Sequence, residues 1–248
     1  MRPILVLLQK DFTLFRRDRA AMILTFAVPF ALTYVFGQVF GIHRSNGGAE
    51  AAQLIGGWAV QFLLFALVSS STSLFYEKDN GVFQRILSGP VPRSSILWSK
   101  FLYGAALGLL QLLLLFSAGS FLFGITLAPH LPLLIPVCLF AAAACSSFGM
   151  LLASAARSPE AARGLSTFVI LLMSAVGGAW FPISLMPHLM QQLSRVTPVY
   201  WSVTGFSRAL SAHGSLAEIL PTLAALAAMT AVILAVAWSQ FRRGTIFD

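Results

Sequence analysis

Between Lys100 and Arg157 the chain carries no Asp, Glu, Lys or Arg at all. Soluble domains interrupt their apolar sequence with charge at about one residue in four, so an uncharged run of this extent belongs in hydrocarbon. A helix crosses a bilayer with about 20 apolar residues at a rise of about 1.5 Å each. Phe101–Ala156 is too long for one crossing, and the prolines of Ala128-Pro-His-Leu-Pro132 divide it into two spans joined by a tight turn. The same criterion marks Ala20–His43, Ala51–Tyr76, Gly164–Phe181 and Ile219–Phe241. Pro29 and Pro136 fall inside spans, where neighbouring helices can re-satisfy the freed carbonyls. The expected fold is an all-α integral membrane domain over residues 1–248 with six transmembrane helices.

The charges lie between these runs. Only 10% of the chain is charged and 58% is hydrophobic, with a mean hydropathy of +0.83. The net charge of +8 does not imply nucleic acid, which calls for a basic face on a soluble fold. Thirteen basic residues fall in the N-terminal segment, the loops after spans two and four, and the tail. Only Arg44, Arg195 and Arg208 fall on the other side. Loops rich in Lys and Arg stay in the cytoplasm, so both termini are expected there, in a multi-pass protein of the cell (inner) membrane. The basic residues extend to Arg19, and the apolar run that follows exceeds a signal-peptide core, so no cleavage is expected. Cys138 and Cys145 sit in an apolar run and read as packing residues without a disulfide framework.

Three segments outside the spans carry their own patterns. In residues 1–19, Leu5, Leu8, Phe12 and Phe15 recur at helical spacing while Lys10 and Arg17 lie on other faces, which predicts an amphipathic interfacial helix. The loop 77–100 reads as a short helix: Asn80 is its N-cap, Val82, Phe83, Ile86 and Leu87 its apolar stripe, and Gly89-Pro90 its stop. Ser94 or Ser95 would cap the helix leading into span three. Segment 182–208 is apolar but broken by Pro182, Pro187 and Pro198. It reads as a pair of short helices re-entering the outer leaflet, with an ordinary external loop as the alternative.

Chemistry-bearing patterns are sparse. Gly104 and Gly108 in span three have the spacing that lets helices approach closely. Ser69 to Ser73, ending span two, bond back to their own helix or line a substrate path. Gln61 and Gln111, with Gln38, are the most polar groups at membrane depth. They read as interhelical hydrogen-bonding groups, with a substrate path as the alternative for Gln61 and Gln111. No Asp or Glu lies inside the six apolar runs, which argues against an ion-coupled carrier. The four histidines fall in loops, no H-E-x-x-H or Gly-x-Ser-x-Gly pattern occurs, and no phosphate-binding Gly-rich loop is present. Neither catalytic nor metal-ligating residues are assigned, so a membrane-embedded enzyme is disfavoured and ATP has no site of that type here.

The order of elements resembles the permease of the ABC-2-type exporter family. The matching stretches are Leu7-Leu-Gln-Lys-Asp-Phe12 with Arg16-Arg-Asp-Arg19, and Glu77-Lys-Asp-Asn-Gly-Val-Phe-Gln-Arg-Ile-Leu-Ser-Gly-Pro-Val-Pro92. Phe181-Pro-Ile-Ser-Leu-Met-Pro187 and Thr197-Pro-Val-Tyr200 precede span six. The family's second acidic residue before the loop glycine is replaced here by Asn80. The resemblance implies a homo- or heterodimer of permeases bound to ATP-binding-cassette ATPase subunits, so that ATP is held by the partner and this chain has no cofactor. It implies export of an apolar or amphipathic substrate such as a drug, a lipid or a lipid-linked glycan. The loop helix would couple to the ATPase, with Phe83, Ile86 and Leu87 as its anchoring face, Val82 on the same stripe, and Glu77 and Arg85 as rim contacts.

Overall fold

The computed structural model describes residues 2–39, 48–89, 91–124, 126–156, 158–211 and 214–243. Among them the secondary structure is entirely helical, and six helices are long and apolar enough to cross a membrane. The expected residues His43, Arg44 and His213 lie outside the described set.

Helix α1 (Arg2–Arg17) precedes the first span, and Asp18 separates the two. Its backbone leaves the helical region there, and its carboxylate accepts from the Ala21 amide at 3.0 Å, capping α2 (Arg19–Met22). The span then passes through one wide π turn, Ile23–Ala27, before α3 (Val28–Val39). Pro29 offers no amide to the ladder just beyond that turn.

The inward face of α1 differs from the expected stripe. Leu5 is 63% exposed, while Asp11 is 5% exposed and is the buried residue of the helix. Phe12 meets Tyr103 edge-on at 5.0 Å. The face is rotated because buried Lys100 draws Asp11 inward, donating to its Oδ1 at 3.0 Å, a contact apolar spacing does not report.

Helix α4 (Gly48–Asp79) carries the second span and is the most enclosed, with 73% of its apolar window buried. Helices α6 (Arg93–Phe123) and α7 (Leu131–Ala155) pack on it and on each other. A Cβ on Gly104 would collide with Ser146 Oγ, and one on Gly108 would sit 2.9 Å from Ala142 Cβ. The small-residue spacing is therefore a packing device. Ser146 donates across this contact to the Phe101 carbonyl at 2.9 Å. Helix α6 starts well before Phe101, and its N-cap is Pro92; Ser94 and Ser95 lie within the helix and do not cap it. Gly124, at φ 70°, ends it, and the turn Ala128–His130 leads into α7 as the two prolines require.

The fifth span, α8 (Pro159–Val176), begins and ends earlier than its charge-free run. Ser158 accepts from the Ala161 amide at 3.1 Å and Pro159 follows, a start signal that outweighs the charges of Glu160 and Arg163. Segment 182–208 contains a 3-10 turn, Ile183–Leu185, and two α-helices, α9 (His188–Ser194) and α10 (Pro198–Ala209). Helix α10 is buried against α4, α7 and α11 (Leu216–Arg243), with Phe206 edge-on to Phe116 at 4.9 Å. In contrast, Leu189 and Leu193 of α9 are exposed.

The helices that cross include ionisable groups the uncharged runs omit. Glu77 ends the second span, Lys100 stands in the first turns of the third, and Glu218 opens the sixth. The expectation of spans free of Asp and Glu is corrected at Glu77, at Glu218 and at Glu160 in the first turn of the fifth span, because each of these helices extends past the end of its uncharged run.

Candidate functional site

One end of the bundle gathers the elements of interest. Leu74 of α4, Ile96 and Leu97 of α6, Met150 of α7 and Ala237 and Phe241 of α11 form a small apolar cluster separate from the main core. Leu7 of α1 and Ile86 of the short helix α5 (Val82–Leu87) pack against it. Helix α5 thus sits at the same end as α1 and the last turns of α11.

The chain reaches α5 by a reversal at Asn80-Gly81. Asn80 does not cap α5; its side-chain amide donates back to the Tyr76 carbonyl at 2.7 Å and closes α4. The N-cap is Gly81, held at φ 67°, a left-handed conformation that disfavours any residue with a Cβ. Within α5, Val82 and Ile86 are half-buried, and Gln84 and Arg85 are exposed. The side chains of Phe83 and Leu87 lie outside the described set.

Glu77 does not stand at a rim. Lys100 Nζ donates to Glu77 Oε1 at 2.9 Å, to Asp11 Oδ1 at 3.0 Å and to Ser73 Oγ at 3.1 Å. Lys10 Nζ donates to Glu77 Oε1 at 2.9 Å and lies 3.3 Å from Asp11 Oδ1. Two cations and two carboxylates from α1, α4 and α6 therefore share one cluster, with the Lys100 and Asp11 side chains 4% and 5% exposed. Burial pulls the Lys10 pKa down, but its bond to Glu77 and the charge of Asp11 outweigh that and leave it raised above the ordinary lysine value. Asp11 Oδ2 is buried and has no hydrogen-bond partner among the described residues. The charges at positions 10, 11, 77 and 100 are visible in the sequence, but nothing in spacing joins residues so far apart.

A cleft of about 670 Å³ adjoins this cluster, between α1, the first three spans and the start of α8. Gln61 and Gln111 do not line it. Gln61 is 5% exposed and accepts from Trp180 Nε1 at 2.5 Å. Gln111 is fully buried; its amide donates to the Ala59 carbonyl at 3.4 Å, and its Oε1 is without a partner. Both sit at helix contacts in the core.

Six crossing helices, a helical arm before them and a buried helix before the last define a polytopic membrane protein of the transporter-permease type. The profile of the ABC-2 type transporter family matches residues 2–210, and the chain belongs to that family. It is similar to the linearmycin resistance permease protein LnrN of Bacillus subtilis, 24% identical over 198 residues, covering 79% of this chain and 51% of LnrN. It thus spans about half the length of that relative. It is also similar to the putative transport permease YvfS of the same organism, 23% identical over 186 residues, covering 74% of this chain and 76% of YvfS.

Proposed function

We propose that this chain is the membrane-spanning subunit of an ATP-binding-cassette exporter. It pairs with a second permease copy and takes its energy from a separate ATP-binding subunit. The observation that carries this reading is α5, a short helix with exposed Gln84 and Arg85, seated through Ile86 on the small apolar cluster to which α11 contributes and against which α1 packs. Motion of a partner docked on α5 would pass through the Asn80-Gly81 reversal into α4 and, through the Glu77–Lys100 bond, into α6.

The thirteen-to-three distribution of basic residues supports a cytoplasmic position for the α5 end and for both termini. On this orientation α1 lies at the cytoplasmic interface, with Leu5 and Val6 exposed toward acyl chains. Helices α9 and α10 form the outer re-entrant hairpin: α10 is inserted among three spans, and α9 presents apolar side chains outward. The cargo is an apolar or amphipathic molecule, a drug in the simplest case, in keeping with the resistance function that the name of LnrN carries.

Co-expression with the cognate ATP-binding subunit tests the reading. Phe83→Ala is expected to leave the permease folded while removing co-purification of the ATPase or transport. Intact assembly and transport in Phe83→Ala, with loss of both in Phe12→Ala, would move the coupling surface to α1. Cysteines introduced at Asn46 and His213 should label from outside intact cells, and one at Arg2 should not.

A further inference from the structure

We propose that the cleft beside the ion cluster binds the head of one zwitterionic lipid bearing a primary ammonium. The inference rests on the membrane placement of the spans and is independent of what the protein transports.

The cleft is of ligand size, since small-molecule sites run from about 300 to 1,000 Å³, and its lining is divided. Leu24, Phe62, Phe65 and Ala66, on the first two spans, supply an apolar wall. Asp11, Ser73, Glu77 and Lys100 supply a polar end, at the level where the second span finishes and the third begins. An acyl chain against the wall and a head at the polar end would match the depth at which a bilayer changes from hydrocarbon to head groups.

Two groups on the lining select the head. Asp11 Oδ2, buried in the cluster, lacks a donor among the described residues. Buried polar atoms without partners are rare and point to a missing water, ion or ligand. Arg163 also lines the cleft; it is exposed, lies over the Tyr76 ring at 5.8 Å, and makes no ion pair among the described residues. An ammonium N–H would complete Asp11, and a phosphate would meet the Arg163 guanidinium. Among the described residues the charges of the cleft and its adjoining Lys10 balance: Asp11, Asp18 and Glu77 against Lys100, Arg163 and Lys10. A ligand with net charge would upset that balance, whereas a zwitterion would not. A quaternary ammonium has no N–H to give Asp11.

The test uses the full-length chain, purified and titrated with short-chain lipids by native mass spectrometry. Phosphatidylethanolamine should bind about tenfold more tightly than phosphatidylcholine or phosphatidylglycerol, equivalent to about 1.4 kcal/mol. Asp11→Asn should reduce phosphatidylethanolamine to the phosphatidylcholine level. Arg163→Gln should weaken both zwitterionic lipids, and Ala66→Trp, which fills the apolar wall, should remove both. Equal binding of the three lipids by the unaltered chain would overturn the proposal. So would a folded Asp11→Asn that keeps the full preference, or phosphatidylethanolamine binding unchanged in Arg163→Gln and Ala66→Trp. Should Asp11→Asn fail to fold, the lipid ratio and the other two variants decide.

Discussion

Lys100 of α6 and Asp11 of α1 form an ion pair at 3.0 Å across 89 residues of sequence, with almost no access to solvent. The pair ties the arm before the first span to the third span. A buried pair gains little over a well-packed apolar substitute, but removing one partner strands the other charge at a cost of about 3–5 kcal/mol. Lys100→Met leaves Asp11 and Glu77 with Lys10 alone and should sharply lower the thermal midpoint of the purified protein. Asp11→Asn with Lys100→Met should recover part of the loss. A Lys100→Met midpoint equal to that of the parent would mean the cluster contributes nothing to the fold.

The Lys10 proton gives this cluster a pH dependence with a definite sign. Its folded pKa lies above the ordinary value of 10.5, so the folded state holds that proton more tightly than the unfolded chain. The stabilisation is fully present below about pH 10.5 and is lost as pH rises through the folded value. Lys10→Met should therefore be less stable than the parent by a constant amount at neutral pH, and the gap should close in strong alkali. Thermal midpoints of both proteins across that range measure it; a gap that widens with rising pH reverses the sign and refutes the assignment.

Gln61 and Gln111 separate a packing role from a substrate path. Interhelical hydrogen bonds in membrane bundles contribute about 0.6 kcal/mol on average. Gln61→Leu strands the Trp180 donor and should destabilise modestly. Gln111→Leu removes a buried carbonyl oxygen without a partner and should be neutral or slightly stabilising. Both are buried and bonded at helix contacts in the core, so cargo preference should stay the same in both. A change in cargo preference without a change in thermal midpoint would return them to the transport path.

The spans and their order are legible in the sequence because hydrocarbon admits almost no charge, so uncharged length alone marks a crossing. Helix ends are less legible. Asn80, an ordinary N-cap residue, serves the preceding helix because Gly81 alone adopts the left-handed turn that starts α5. Glu77 and Lys100 read as loop charges because an uncharged run ends at the first ionisable group. Their partnership, and the rotation of α1 that brings Asp11 to it, depend on contacts between distant segments that no local periodicity encodes.

Helix α5 offers the finest separation of roles, because Ile86 and Arg85 are neighbours with opposite surroundings. Ile86 packs against the cluster shared by α4, α6, α7 and α11, so Ile86→Ala should loosen the seat of α5 itself. Burying an aliphatic side chain of this size contributes about 1.5–3 kcal/mol when complete, and Ile86 is only half-buried, so a small fall in thermal midpoint is expected. Arg85 is exposed and touches no acidic group among the described residues. Arg85→Glu should leave the midpoint of the isolated permease unchanged and should weaken association with the ATP-binding subunit, increasingly so at low ionic strength, where screening is least. Pull-down of the ATPase at two salt concentrations, beside thermal unfolding of each variant alone, distinguishes the two residues. If Arg85→Glu assembles as the parent does at both salts while Ile86→Ala loses its partner without losing stability, then the half-buried face of α5 is the one that meets the ATPase, and α5 must lift from the bundle to do so.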